Sequence, residues 1–136
     1  MNRQQVIQMQ AGRELDALIQ EKVLPEIKHV WCELDTTDYC RGCGAERWQN
    51  AAVEPCRPWF SESRMAALSV IAAMAAQGFD VNLSLRNGLA WRCEFTRPSE
   101  EFSATADTMA LAICGAALLP FCDKLKQSGN LVDAKA

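Results

Sequence analysis

From Phe79 to Phe95 hydrophobic and polar positions alternate. Phe79, Val81, Leu83 and Leu85 are interleaved with Asp80, Asn82, Ser84 and Arg86, and Leu89, Trp91, Cys93 and Phe95 repeat the pattern. A period of two predicts two strands, each with one apolar and one polar face. Asn87-Gly88 lies between them, and parity decides the turn. A two-residue loop would set Leu85 opposite Ala90 and Leu83 opposite Arg92, mixing the faces. A three-residue loop, Arg86-Asn87-Gly88, sets Leu85 opposite Leu89, Leu83 opposite Trp91 and Val81 opposite Cys93, with Gly88 at a left-handed position. The second register is the expected one. Pro98 closes the hairpin, and 99–106 reads as a connector with a short third strand around Phe102.

Helical spacing appears on both sides of the hairpin. In 11–23, Leu15, Leu18, Ile19, Lys22 and Val23 share a face, and Pro25 ends the run. A second helix follows Ser61 or Ser63 as cap, with Met65, Leu68, Ile71, Ala72 and Ala75 on one face and Gly78 as the stop. A third helix opens at Asp107 or Thr108 and is apolar nearly all round, which predicts the most buried helix; Pro120 ends or kinks it. Cys93, Cys114 and Cys122 fall on these apolar faces, where a free thiol behaves as a small hydrophobe.

The stretch 26–60 has no regular period, yet it holds four of the seven cysteines, the one histidine and three of the four tryptophans. An irregular segment of that length inside a compact domain needs something to hold it. Cys40 and Cys43, with Gly42 between them and Gly44 after, have the spacing of half a structural zinc site. Cys32 and Cys56 are the expected further ligands, and His29 is another candidate. Unrelated buried thiols and a redox pair are the alternatives. Four protein ligands would leave no open position, so such a zinc ion would be structural.

Length and composition fit one domain: 136 residues, 49% hydrophobic, 23% charged, net charge −3. The expected division is an N-terminal helix in 1–25, the cysteine-rich insert in 26–60, a helix–hairpin–helix core in 61–126 and a frayed tail in 127–136. No signal peptide is expected from the polar start, and no segment reaches the ~20 apolar residues of a membrane span. A cytoplasmic protein with reduced thiols is expected.

Three stretches resemble the phage ABA-sandwich domain proteins: AGRELDALIQEKV at 11–23, WFSESRMAALSVIAAMAAQGF at 59–79 and ATADTMALAICGAALL at 104–119. The matching middle helix lacks the family's usual tryptophan after its alanines. Gly115 stands where relatives often carry arginine. The resemblance implies a compact α+β fold of αβα-sandwich type, with a central antiparallel hairpin-based sheet, three main helices and an irregular cysteine-rich insert. Within the family the chain is similar to the phage Thoeris anti-defence sponges. These bind cyclic nucleotide-type immune signals, such as cyclic ADP-ribose isomers, without cleaving them, and assemble as homo-oligomers.

A site for such a ligand needs an aromatic face for the base, cations for phosphate and helix-start amides. The candidates are Trp59, Phe60 and Ser61 before the second helix, and Ser103, Thr105, Asp107 and Thr108 before the third. Arg57, Arg64, Arg86, Arg92 and Arg97 are the cations. Each also has a plain structural reading: Ser61, Asp107 and Thr108 as caps, Arg92 as a cross-strand partner, Trp59 as core or interface. No catalytic motif is evident, although Asp35 and Asp38 would form an acid pair, and the expectation is a non-enzyme. The window 38–64 balances Arg41, Arg47, Arg57 and Arg64 with Asp38, Glu46, Glu54 and Glu62, which argues against nucleic-acid binding. The other roles left open are a zinc-stabilised module that binds and inhibits a host protein, and a phage accessory protein of another kind.

Overall fold

The structure, a computed structural model, describes residues 2–34, 37–41, 43 and 56–122. The frayed tail expected from residue 127 and the residue Asp35 lie outside them. The chain runs α1 (Arg3–Gln8), α2 (Arg13–Lys22), β1 (Trp31–Leu34), β2 (Thr37–Cys40), α3 (Arg64–Ala76), β3 (Asp80–Arg86), β4 (Ala90–Arg97), β5 (Glu100–Ala106) and α4 (Met109–Leu118), with a 3-10 turn at Leu119–Phe121. β3, β4 and β5 form one antiparallel sheet in that order, and β1 and β2 form a separate hairpin. The α+β class and the central antiparallel sheet are those expected from the sequence.

The helix starts follow local chemistry. Asn2 and Gln5 cap α1 reciprocally, each side chain accepting from the other's backbone N–H. Ser63 caps α3 by accepting from Ala66 N–H, and Thr108 caps α4 by accepting from Leu111 N–H. α4 is the hub. It lies against β4 and β5, with α3 and α2 packed beside it, and it buries Ile113, Cys114 and Leu118 fully. Cys93 and Phe95 meet it from the sheet, and Cys122 is also buried, as the apolar pattern predicted. Burial pushes the Cys93 thiol up to about 12, with the nearby Glu94 charge adding to it, so this group is an inert core thiol.

Gly115 permits the close approach of α4 to β5. A Cβ built there would lie 3.3 Å from the Ala104 Cβ. Gly115→Leu is therefore expected to push the helix off the strand and lower stability by about 1–3 kcal/mol in a urea titration. An unchanged midpoint would show that the contact is slack.

Three sequence expectations change. The hairpin register is Arg86↔Ala90, Leu85↔Trp91, Leu83↔Cys93 and Val81↔Phe95. The loop is thus Asn87-Gly88-Leu89, two residues out from the expected pairing. Asn87 and Gly88 both take positive φ (55° and 69°), Leu89 N–H bonds to Arg86 C=O at 3.0 Å, and Leu89 is left exposed as the extra residue. The shift is even, so the apolar and polar faces survive. β5 is a full seven-residue strand, joined to β4 by a turn in which Ser99 takes φ 68°.

The largest change is in α3. It buries Ala67, Val70 and Met74, whereas Met65, Leu68, Ala72 and Ala75 of the expected core face point outward. This helix is apolar on both sides, so its period does not say which side meets α4.

Candidate functional site

The segment 26–60 is not wholly irregular. Val30, Trp31 and Tyr39 favour extended backbone, and β1 pairs with β2 in the register Trp31↔Cys40 and Cys32↔Tyr39. Arg41 N–H continues the ladder to Val30 C=O at 2.8 Å. Extending that register sets His29 against the turn that carries Cys43. Cys56 enters from the far end of the insert.

The result is one cluster in which a donor atom from each of His29, Cys40, Cys43 and Cys56 lies within 4.8 Å of every other. The Cys40 and Cys56 sulfurs are 3.6 Å apart, and the Cys43 sulfur is 3.5 Å from His29 Nδ1. A tetrahedral ion with ~2.3 Å bonds to sulfur and ~2.0 Å to nitrogen sets its ligands roughly 3.5–3.8 Å apart. A disulfide needs ~2.05 Å, and these thiols are free. Cys40 and Cys56 are buried, and the His29 ring stacks on Trp31 at 4.9 Å. Burial pushes the Cys56 thiol far above its ordinary range, and Cys40 and Cys43 add to that. A dication among the sulfurs would reverse this balance by favouring thiolates.

His29 therefore stands where the sequence reading put Cys32. Alternation along β1 turns Cys32 away from Trp31, and it is not in the cluster. The pattern of cysteines alone could not find the histidine. The signal available was its distance from Cys40 once a hairpin is allowed.

A second constellation joins the exit of the insert to the start of α2. Asp16 is fully buried. Its Oδ1 accepts from the Ser61 backbone N–H at 2.8 Å and from the Ser61 hydroxyl at 2.7 Å, and its Oδ2 accepts from Arg13 Nη1 at 3.0 Å. Gly12 N–H in turn donates to Ser61 Oγ at 2.9 Å. Arg13 Nη2 donates to Arg57 C=O at 2.6 Å, and its guanidinium lies 4.0 Å above the Trp59 ring. Arg13 and Asp16 were not among the residues singled out from the sequence. They lie within the helix predicted for 11–23, off its named apolar face.

Beside this network opens a cleft of about 1090 Å³. Arg13 and Arg57 line it, with Gln5, Gln8, Gln10 and Gln20, while Glu14 and Glu21 bring negative charge to it. Arg57 Nε is buried and has no hydrogen-bond partner among the described residues. A buried unpaired donor is costly, and a ligand acceptor would relieve it.

The other predicted ligand residues do not converge on this cleft. Trp59 lies next to it across Arg13. Phe60 and Ser61 are fully buried, the first in the core and the second in the Asp16 network. Arg64 and Asp107 are exposed near the starts of α3 and α4, and Thr108 is a cap. Arg97 pairs with Glu100, donates to Gln77 C=O at 3.0 Å and lies over Phe79.

Arg86, Arg92, Ser103 and Thr105 share the polar face of the sheet, where Arg92 pairs with Glu94 at 3.4 Å and sits opposite both Ser84 and Thr105. Glu94 and Glu101 meet on that face, and the Glu94 carboxylate holds the Glu101 carboxyl above its ordinary range. That face is thus mixed in charge.

A model of the phage ABA sandwich domain matches residues 17–118. Among solved structures, the chain is similar to a phage protein from Bacillus cereus ATCC 14579, with 18% identity, a TM-score of 0.51, and coverage of 78% of this chain and 83% of that one. At that identity the likeness is one of fold. No curated protein matches the chain. Among the described residues, no helix is long and apolar enough to cross a membrane.

Proposed function

The chain belongs to the phage ABA sandwich domain family, and we propose that it is a phage accessory protein that sequesters an anionic nucleotide-type immune signal without cleaving it. A cyclic ADP-ribose isomer or a cyclic oligonucleotide is the proposed ligand class. The observation that carries the reading is Arg57, which lines an open cleft with a buried Nε that has no partner among the described residues.

The residues around it suit that ligand. Arg57 would take a phosphate through paired N–H donors. Arg13, whose guanidinium carbon lies 4.0 Å from the Trp59 ring centroid, would present a planar cation on which a purine stacks. The glutamines along the cleft carry amide donors and acceptors for the edges of a base. A sponge needs only affinity, so no general acid, base or nucleophile is assigned.

The same proposal places a zinc ion at His29, Cys40, Cys43 and Cys56. With all four positions filled by protein, its contribution would be to hold the insert closed, and the insert delivers Arg57 to the cleft and Trp59 to the Arg13 guanidinium beside it.

The test is depletion by mass spectrometry. Purified protein is mixed with a panel of cyclic ADP-ribose isomers and cyclic di- and trinucleotides, filtered, and then heated. The expected result is that one compound leaves the filtrate and returns intact on heating. Return of a cleaved product would indicate an enzyme, and retention of nothing would sink the reading for these ligands. Arg57→Ala is expected to weaken capture about 10- to 100-fold, the loss of one charged hydrogen-bonding group. Undiminished capture by that variant would move the site elsewhere.

A further inference from the structure

The free edge of β3 and the uncovered side of α3 share one character. β3 bonds only to β4, so its other edge has no strand beside it among the described residues. On its apolar face Val81 and Leu85 are 41% and 49% exposed, although the pattern assigns them to a core. α3, which packs next to β3, leaves Met65 and Leu68 76% and 46% exposed. An open edge strand flanked by apolar side chains is a template for another strand.

The sequence of β3, Asp-Val-Asn-Leu-Ser-Leu-Arg, identifies what fits. Placed antiparallel to its own copy about Leu83, it sets Leu83 against Leu83 of the second copy and Val81 against Leu85 on the apolar face. On the polar face it sets Asn82 against Ser84 and Asp80 against Arg86. Both charged residues then meet opposite charges, twice by symmetry. A one-residue slip opposes apolar to polar side chains. A two-residue shift keeps the faces but leaves both Asp80 and Arg86 without an opposite charge.

The other sheet edge, β5, gives no such match. Centred on Ser103, it opposes Glu101 to Thr105 and Glu100 to Ala106. β5 is also flanked by the 3-10 turn at Leu119–Phe121.

We propose that β3 pairs with β3 of a second copy of this chain, joining two three-stranded sheets into one of six strands about a two-fold axis at Leu83. α3, packed next to β3, adds exposed Met65 and Leu68 to the apolar surface beside that edge. This inference is independent of the cleft and of any ligand.

The experiment is sedimentation equilibrium of the full chain, with zinc in the buffer, on charge-swapped variants. The unsubstituted chain is expected to sediment at twice its chain mass. Asp80→Arg and Arg86→Asp each put like charges opposite one another at two places, so each is expected to weaken the dimer about tenfold or more. Combined in one chain, they restore opposite charges in the same register and are expected to recover the dimer. Both positions are exposed, so the variants should fold.

Leu83→Cys supplies an independent check. On the axis its Cα would lie ~4.5–5.5 Å from its mate, and oxidation is expected to give a covalent dimer that the unsubstituted chain does not. A monomeric wild-type chain overturns the proposal and leaves this face to a different partner. So does a dimer indifferent to the single swaps, or one that the double swap fails to restore.

Discussion

Cys56→Ser is expected to abolish stoichiometric metal and to release the insert from the body of the protein. Protein purified without chelator should carry one zinc per chain by elemental analysis. The variant should carry close to none, because the cluster has no fifth donor to replace the lost sulfur among the described residues. Free energies of structural zinc binding run to ~10–16 kcal/mol in small finger peptides. Here the effect should be local. α2, α3, α4 and the three-stranded sheet share a core built from Leu15, Ile19, Val70, Met74, Phe95 and Ile113, none of which belongs to the metal cluster.

Limited proteolysis separates local from global loss. New cuts are expected between Val30 and Arg57, with 61–122 still protected. Cys32→Ser is the control and should keep its zinc. Full metal content in Cys56→Ser, or loss of metal in Cys32→Ser, would refute the assigned ligand set.

Much of the fold was legible because it rests on periods. The two-residue period of β3 and β4 gave both strands and their faces. The all-round apolar run in α4 announced the buried hub. Legibility failed where a period is symmetric or a partner is distant.

The hairpin parity was right but its register was two residues out, because face matching cannot distinguish registers that differ by an even number. The left-handed Asn87 then decided the turn. α3 has apolar residues on both sides, so its pattern predicted the wrong buried face, and the neglected side is the one that meets α4. In the insert, the spacing of Cys40 and Cys43 pointed to metal, but the choice of His29 over Cys32 depends on a β1–β2 hairpin with no clean alternation to reveal it. Asp16 was the hardest case. A carboxylate on a helix reads as solvated until Ser61, far along the chain, is seen to bond to it.

That carboxylate carries the second large prediction. Asp16→Ala should lower stability by about 3 kcal/mol or more in chemical denaturation. It leaves the buried Ser61 backbone N–H without its acceptor and the hydroxyl with only the longer contact to Gly12 C=O at 3.3 Å. The ion pair to Arg13 adds little to this figure, since that side chain is 41% exposed and screened by solvent. The hydrogen bonds from Ser61 should dominate.

Asp16→Asn keeps one carbonyl acceptor and is expected to cost less than the alanine variant. Ser61→Ala removes the hydroxyl from both the Asp16 and Gly12 bonds. Because the two side chains act on each other, the double variant should be less destabilised than the sum of the singles, by about 1 kcal/mol or more. Strict additivity, or a cost for Asp16→Ala below ~1 kcal/mol, would mean that water reaches this site. The network would then not be what anchors the insert, through Arg57 C=O and Ser61, to the start of α2.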